Sequence, residues 1–296
     1  MNCQPRPNQL TTYLLGLALL VFTIQAQALE LPLQETVPGG IAIIKLDEAL
    51  DTPPKVSYQD KPVMVVVYQQ AWHALVGIPL GAKQGKHSII SKQAGREHTY
   101  SFQIADKQYE TQHLTIKNKR KVNPNPDDMK RISKERKKTD AALEHWDDNV
   151  YTTTLELDLP VEGTLSSPFG LRRFFNKQAR NPHSGIDIAA AKGTTINAPA
   201  DGKVILTGEF FFNGNSVFID HGQGLITMYC HMDSIKVKQG QMLKRGEKIG
   251  EVGMTGRVTG PHLHWSISLN DARIDPRLLV PVLRQTAGTA DTSPSM

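Results

Sequence analysis

Four histidines and one carboxylate have the types and spacing for metal-assisted hydrolysis: His183 and Asp187 in HSGID, His231 in YCHM, and His262 and His264 in PHLHW. They fall within 82 residues, each in a turn-rich or alternating context. Zinc takes N, S or O ligands tetrahedrally, and a catalytic site uses three protein ligands and keeps the fourth position for water. The set supplies three ligands and two further groups for moving protons, an economical basis for a mononuclear zinc hydrolase. HExxH does not occur, which excludes a helical metalloprotease with a glutamate base.

These side chains have to be carried on strands. His262, His264, Ser266 and Ser268 alternate with Leu263, Trp265, Ile267 and Leu269. That period predicts a half-buried strand with both histidines on one face. TMYCHM reads the same way, with Thr227, Tyr229 and His231 on one face and Met228, Cys230 and Met232 on the other. Cys230 is therefore expected to be a packed core thiol rather than a ligand. HSGID follows Asn181-Pro182 and contains Gly185, the pattern of a loop entering a strand. Polar strand faces lining a groove suit an extended peptide substrate better than a compact metabolite.

Over residues 159–276 the sequence resembles the lysostaphin-type (LytM-like) zinc metallopeptidases, which cut peptide bonds in bacterial peptidoglycan. The resemblance rests on SPFGLR from Ser167, HSGIDIAAAKGTTINAPADGKV from His183, GNSVFIDHGQGLITMYCHM from Gly214 and GQMLKRGEKIGEVGMTGRVTGPHLHW from Gly240. It implies that His183, Asp187 and His264 bind Zn2+ and that His231 and His262 are catalytic. Either of the last two can serve as base. No position of the pattern departs from the family's. Two other readings are a non-catalytic LytM-type activator of a peptidoglycan amidase, which would be expected to have lost a ligand, and a peptidase acting on secreted proteins. His221, in the Asp220-Gly222 turn, reads as a turn-holding residue. His73, His87, His98, His113 and His145 have no partner spacing and are expected to be solvated.

Residues 1–28 read as a signal peptide: Arg6, an apolar run of 12 from Tyr13 to Ile24, and Ala26-Gln27-Ala28 as the cleavage site. The run is shorter than the roughly 20 residues of a membrane span, so no stable span is expected after cleavage, and the destination is the periplasm or beyond. Cleavage leaves 268 of the 296 residues, with Cys230 as the sole cysteine, so a disulfide within the mature monomer is excluded. The net charge falls from +5 to +4 with the loss of Arg6. The basic excess lies in residues 117–138, with ten Lys or Arg against three acids, and reads as a solvated helix face. An exported chain has no nucleic-acid partner to meet.

The expected fold is mainly β. Residues 29–122 carry short β-type runs divided by turns, the pattern of a β-sandwich-like domain. This part is similar to the N-terminal β-domain preceding the peptidase in some Gram-negative members of the family. Asn123-Pro124-Asn125-Pro126 opens a linker and helix over 123–150, with Asp127-Asp128 as cap and an end near Trp146. Residues 151–284 form the antiparallel β peptidase domain with a groove, and 285–296 a disordered tail. The proline break could let the N-terminal domain fold back over the groove and limit access.

Overall fold

A computed structural model describes residues 30–152 and 154–285; the expected signal peptide and nearly all of the tail lie outside the described residues. The chain is mainly β. Its first strands are β1 (Ile41–Lys45), β2 (Lys55–Tyr58), β3 (Lys61–Tyr68), β4 (Ala71–Gly77), β5 (Gly85–Gln93) and β6 (Arg96–Ile104), forming one antiparallel sheet in the order β1-β4-β3-β2-β5-β6. The end strands β1 and β6 come into contact, so the sheet closes over a core of Ala42, Val56, Val63, Val65, Ala74, Val76, Ile89 and Ile104. This is the sandwich-like shape the alternating runs call for.

Next come β7 (Thr111–Leu114) and helix α1 (Pro126–Leu143), then β8 (Thr164–Ser167), β9 (Arg172–Phe175), β10 (Gln178–Ala179), β11 (Ile186–Ala189) and β12 (Thr195–Asn197). The chain continues through β13 (Gly202–Phe210), β14 (Gly214–Asp220), β15 (Leu225–Ile235), β16 (Met242–Leu243), β17 (Lys248–Val252), β18 (His262–Leu269), β19 (Ala272–Ile274) and the short α2 (Pro281–Gln285). The large sheet runs β16-β13-β14-β15-β18-β11-β8. Its inner face carries Leu225, Tyr229, Leu263, Trp265, Ile267 and Leu269 in the main core.

The two β portions share that core. Leu75 of β4 and Met64 of β3 belong to the large core, while their sequence neighbours Ala74 and Val65 belong to the N-terminal one. Burial on both faces explains why these strands are near-continuous apolar runs. The contact is close: Asn270 accepts from Gly77 N at 2.7 Å and donates back to Gly77 O at 3.1 Å. A Cβ at Gly77 would lie 2.4 Å from Leu269 O, so only glycine permits the approach.

Three details depart from the sequence expectations. Strand β7, grouped by its pattern with the N-terminal domain, instead pairs in parallel with β9, Gln112 opposite Arg173. The α1 cap is Asn125, whose side chain accepts from Asp128 N while Asp128 accepts from Asn125 N; Pro126 fills the first helical position. The helix ends at Leu143, short of Trp146. Its C-terminal residues Ala142 and Leu143 pack on Phe218, Ile226, Met228 and Cys230, the outer face of the large sheet.

His221 is fully buried. Its Nδ1–H donates to Asp201 O at 2.7 Å, and Nε2 meets Thr227 Oγ1 at 2.9 Å. Burial pushes its pKa down from 6.5 to about 4. The unfolded chain therefore takes up this proton first as pH falls, and stability held above pH 6.5 is lost on the way to pH 4. The loss from this residue is on the order of 3 kcal/mol. Denaturant midpoints at neutral pH and at mildly acidic pH should show the fall, and His221→Gln should make it smaller.

Candidate metal centre

Sheet register assembles the centre. Asp187 of β11 stands directly opposite His264 of β18, and Ala189 opposite His262. His183, in the loop before β11, turns its ring onto the same point. Its Nε2 lies 2.9 Å from Asp187 Oδ1 and 3.0 Å from His264 Nδ1; His264 Nδ1 lies 2.8 Å from the same Asp187 oxygen. The far side of each ring is fixed. His183 Nδ1 donates to Pro168 O at 2.8 Å, and His264 Nε2 meets Ser266 Oγ at 3.0 Å. A carbonyl only accepts, so a neutral His183 presents a lone pair at Nε2.

Three atoms able to ligate thus converge on one point, an arrangement that a cation among them would satisfy. The set His183, Asp187 and His264 fits a metal ion by number and chemistry: two imidazoles and a carboxylate with ring partners fixed behind them. His264 has its pKa pushed down to about 4, by burial foremost, which keeps the ring neutral and ready to ligate. Burial alone would raise Asp187, but hydrogen bonds with His183 and His264 hold it well below the usual carboxylate range.

His231 and His262 flank the triad. Their ring centroids are 4.9 Å apart, and His231 is 6.1 Å from the His264 ring. Each donates Nδ1–H to a backbone carbonyl at 2.9 Å, Thr255 O for His231 and Gly260 O for His262. Neither Nε2 atom has a hydrogen-bond partner among the described residues. His262 Nε2 stands 3.9 Å from Asp187 Oδ1, outside hydrogen-bonding reach. His231 has its pKa pushed down to about 3 by burial, reinforced by the two neighbouring imidazoles.

His231 reaches this place by breaking the strand period. Regular alternation would put it on the core face with Tyr229. Instead its φ is 64°, and β15 spends three residues, Tyr229 to Met232, where β14 spends two, Val217 to Asn215. This bulge turns His231 onto the face of Cys230 and His264 and sends Met232 into the main core. The expectation of Thr227, Tyr229 and His231 on one face is corrected accordingly. A non-glycine residue in the left-handed region is a local strain, here offset by His231 N–H donating to Asn213 O at 2.8 Å. Cys230 is buried with its thiol pKa pushed up to about 12, as a packed core thiol should be.

Sequence reasoning missed Arg173. Its Nη2 donates to Asp187 Oδ2 at 2.6 Å, and its Nε donates to Gln112 Oε1 of β7 at 3.1 Å. The doublet Arg172-Arg173 opening β9 was the available signal, since alternation turns one of the two toward the sheet. It missed His145 too, whose Nε2 lies 3.4 Å from buried Asp220. The other histidines are also engaged: His87 Nδ1 meets Tyr58 OH at 2.9 Å, and His113 stacks on Phe174.

Two cavities open beside the centre. The larger, about 720 Å³, is lined by His183, His231 and His264 together with Arg180, Arg257, Arg273 and the α1 residues Asp140 and Leu143. The smaller, about 320 Å³, has Gln112 and Leu114 of β7 on one side and His262 on the other. Neither is lined by a residue of β1 to β6.

Residues 181–276 match peptidase family M23 and residues 34–107 match the family's N-terminal domain. A crystal structure of a putative peptidase M23 from Pseudomonas aeruginosa is 44% identical, covers 83% of this chain and 95% of its own, and superposes with a TM-score of 0.71. The chain belongs to peptidase family M23. Among curated relatives, the DD-carboxypeptidase/endopeptidase Mpg of Neisseria meningitidis is 42% identical over 112 residues, 38% of this chain and 26% of that protein. The peptidoglycan DD-endopeptidase ShyA of Vibrio cholerae is 44% identical over 104 residues, 35% and 24% of the two chains. The matched part spans about a quarter of the length of these relatives.

Arg173 and Gln112 should matter for metal retention although neither is a ligand. Arg173→Met frees Asp187 Oδ2 and is expected to weaken zinc binding by about 10- to 100-fold, the range for partners that orient ligands. Gln112→Ala should act in the same direction and less. Competition with a chromophoric chelator measures both, and unchanged affinity in Arg173→Met would remove its positioning role.

Proposed function

We propose that this chain is a zinc metalloendopeptidase that hydrolyses peptide bonds in peptidoglycan cross-links or stem peptides. The observation that carries the reading is the convergence of His183 Nε2, Asp187 Oδ1 and His264 Nδ1 beside two further imidazoles whose Nε2 atoms have no hydrogen-bond partner among the described residues. His183, Asp187 and His264 would hold the ion. When bound there, zinc polarises the scissile carbonyl and brings the pKa of its water down to about 7, from about 15.7 in bulk. His231 and His262 supply the proton chemistry that a glutamate supplies in other metalloproteases. One Nε2 takes the proton of the attacking water and returns it to the leaving amine, and the other ring, when protonated, donates Nε2–H to the developing oxyanion. Each ring is held for that task by its Nδ1–H bond to a carbonyl.

The groove supports a peptide substrate bearing free carboxylates. Arg180, Arg257 and Arg273 line the larger cavity, and none has a carboxylate within hydrogen-bonding distance among the described residues. Arg257 lies over the Phe175 and Phe212 rings, 4.7 and 4.3 Å to the centroids, which fixes its position. Arg273 is half-buried, with Ser268 Oγ at 3.3 Å and Asp271 at 4.0 Å. Stem peptides carry such carboxylates, and the two curated relatives are named for action on D,D bonds or peptidoglycan. An exported, periplasmic site of action follows from that substrate; no described helix is long and apolar enough to cross a membrane.

Access to the groove is set, in this reading, by α1 and β7 rather than by the six-stranded sheet, which packs at the Leu225–Leu269 end of the large sheet. Glu135 holds α1 down by accepting from Phe211 N at 2.7 Å. Glu135→Ala should raise kcat/KM on cross-linked muropeptides several-fold at unchanged zinc content. Equal rates would mean that α1 is a fixed wall.

The division of roles is tested by metal analysis beside turnover on soluble cross-linked muropeptides, read by mass spectrometry. The full chain should split the cross-link. His183→Ala, Asp187→Ala and His264→Ala should lose both metal and turnover. His231→Ala and His262→Ala should keep the metal and lose turnover by about 100- to 10,000-fold, the usual worth of one acid–base group. Full zinc occupancy in all three ligand variants, or cleavage of unrelated proteins with muropeptides left intact, would sink the reading.

A further inference from the structure

We propose a second divalent-cation site, formed by His145, Asp147 and Asp220 where the chain leaves α1 and enters the large sheet. It shares no residue with the His183–Asp187–His264 centre. One ligand atom from each of the three side chains lies within 4.8 Å of the other two.

The decisive group is Asp220, at the end of β14, which is fully buried. Its Oδ1 accepts from Gly222 N at 2.9 Å. Its Oδ2 is buried with no hydrogen-bond partner. His145 Nε2 lies 3.4 Å from that oxygen but is not aligned to donate to it. A buried carboxylate oxygen without a donor is costly, and a cation coordinated by Oδ2, Nε2 and Asp147 removes that cost. Lys203, opposite Asp220 in the β13–β14 register, makes no ion pair with it among the described residues. Burial foremost raises the Asp220 pKa to about 6, consistent with a carboxylate that lacks its counter-charge.

The site is held rigidly. The segment bearing Asp147 is tied to the turn after Asp220 by Gln223 N–H to Asp147 O at 2.8 Å and Tyr151 N–H to His221 O at 3.1 Å. A Cβ on Gly222 would sit 2.1 Å from Asn149 O, so the two backbones are in contact. Asp147 is itself oriented by Asn149, whose N and Nδ2 donate to Oδ1 at 3.0 and 2.7 Å, and by Tyr151 OH on Oδ2. His145 closes the site from outside, its side chain 41% exposed, so an ion can enter from solvent. One imidazole with two carboxylates selects zinc, cobalt or manganese over calcium and magnesium, which take all-oxygen sets. The ion would clamp the end of α1, two residues before His145, to β14 and so hold the helix against the outer face of the large sheet.

The experiment is zinc titration of the metal-stripped full chain by equilibrium dialysis, with thermal melting alongside. Two equivalents should bind. His145→Gln and Asp220→Asn should each reduce this to one, and His183→Ala should retain the clamp equivalent. Zinc should raise the melting temperature of His183→Ala and leave the His183→Ala/His145→Gln double variant unmoved. His145 is partly exposed, so His145→Gln should fold even if Asp220→Asn does not. Saturation of the full chain at one equivalent, or a second equivalent that survives His145→Gln, would overturn the proposal. Because the clamp is read through His145, it stands or falls separately from the first centre.

Discussion

Asp187 is the residue on which the rest of the peptidase half depends. It is a buried carboxylate in mid-strand, meeting two imidazoles through one oxygen and a guanidinium through the other. Charge burial of this kind is tolerated only where every lone pair is engaged. The surrounding elements supply those partners. Strand β18 brings His264 by register, the 180–185 loop brings His183, and β7 steadies Arg173 from outside the large sheet. The same packing keeps His264 neutral.

The two outer histidines are built differently from His183 and His264. Their Nδ1 hydrogens go to Thr255 O and Gly260 O, carbonyls of the loop between β17 and β18, so one loop sets both rings. His231 also needs the β15 bulge, and the strain of its left-handed backbone is retained because the side chain could not otherwise reach the centre. Asp187, His262 and His264 are thus placed by strand register, His183 by a loop and His231 by a bulge.

Much of this was legible in the sequence where it followed from short-range periodicity. PHLHWSISL announces its strand and its histidine face because its apolar set keeps a strict period of two; Cys230 is buried as expected, but under α1 on the histidine face. The period failed at His231, since nothing in TMYCHM marks the extra residue of the bulge. It failed at the α1 cap as well, where Asn125 precedes the favoured Pro126 and competes with two aspartates. Arg173, β7 and His145 were hidden for a different reason: their partners Asp187, β9 and Asp220 are 14 or more residues away, and pairings at that distance leave no local trace.

The convergence of His183, Asp187 and His264 on one ion is tested most directly by anomalous scattering at the zinc edge from crystals of the metal-loaded full chain. The account requires a peak bounded by His183 Nε2, Asp187 Oδ1 and His264 Nδ1, with Arg173 still on Asp187 Oδ2 and the rings of His231 and His262 outside bonding distance. A peak coordinated by His231 or His262, or none at this position at full zinc loading, would contradict it.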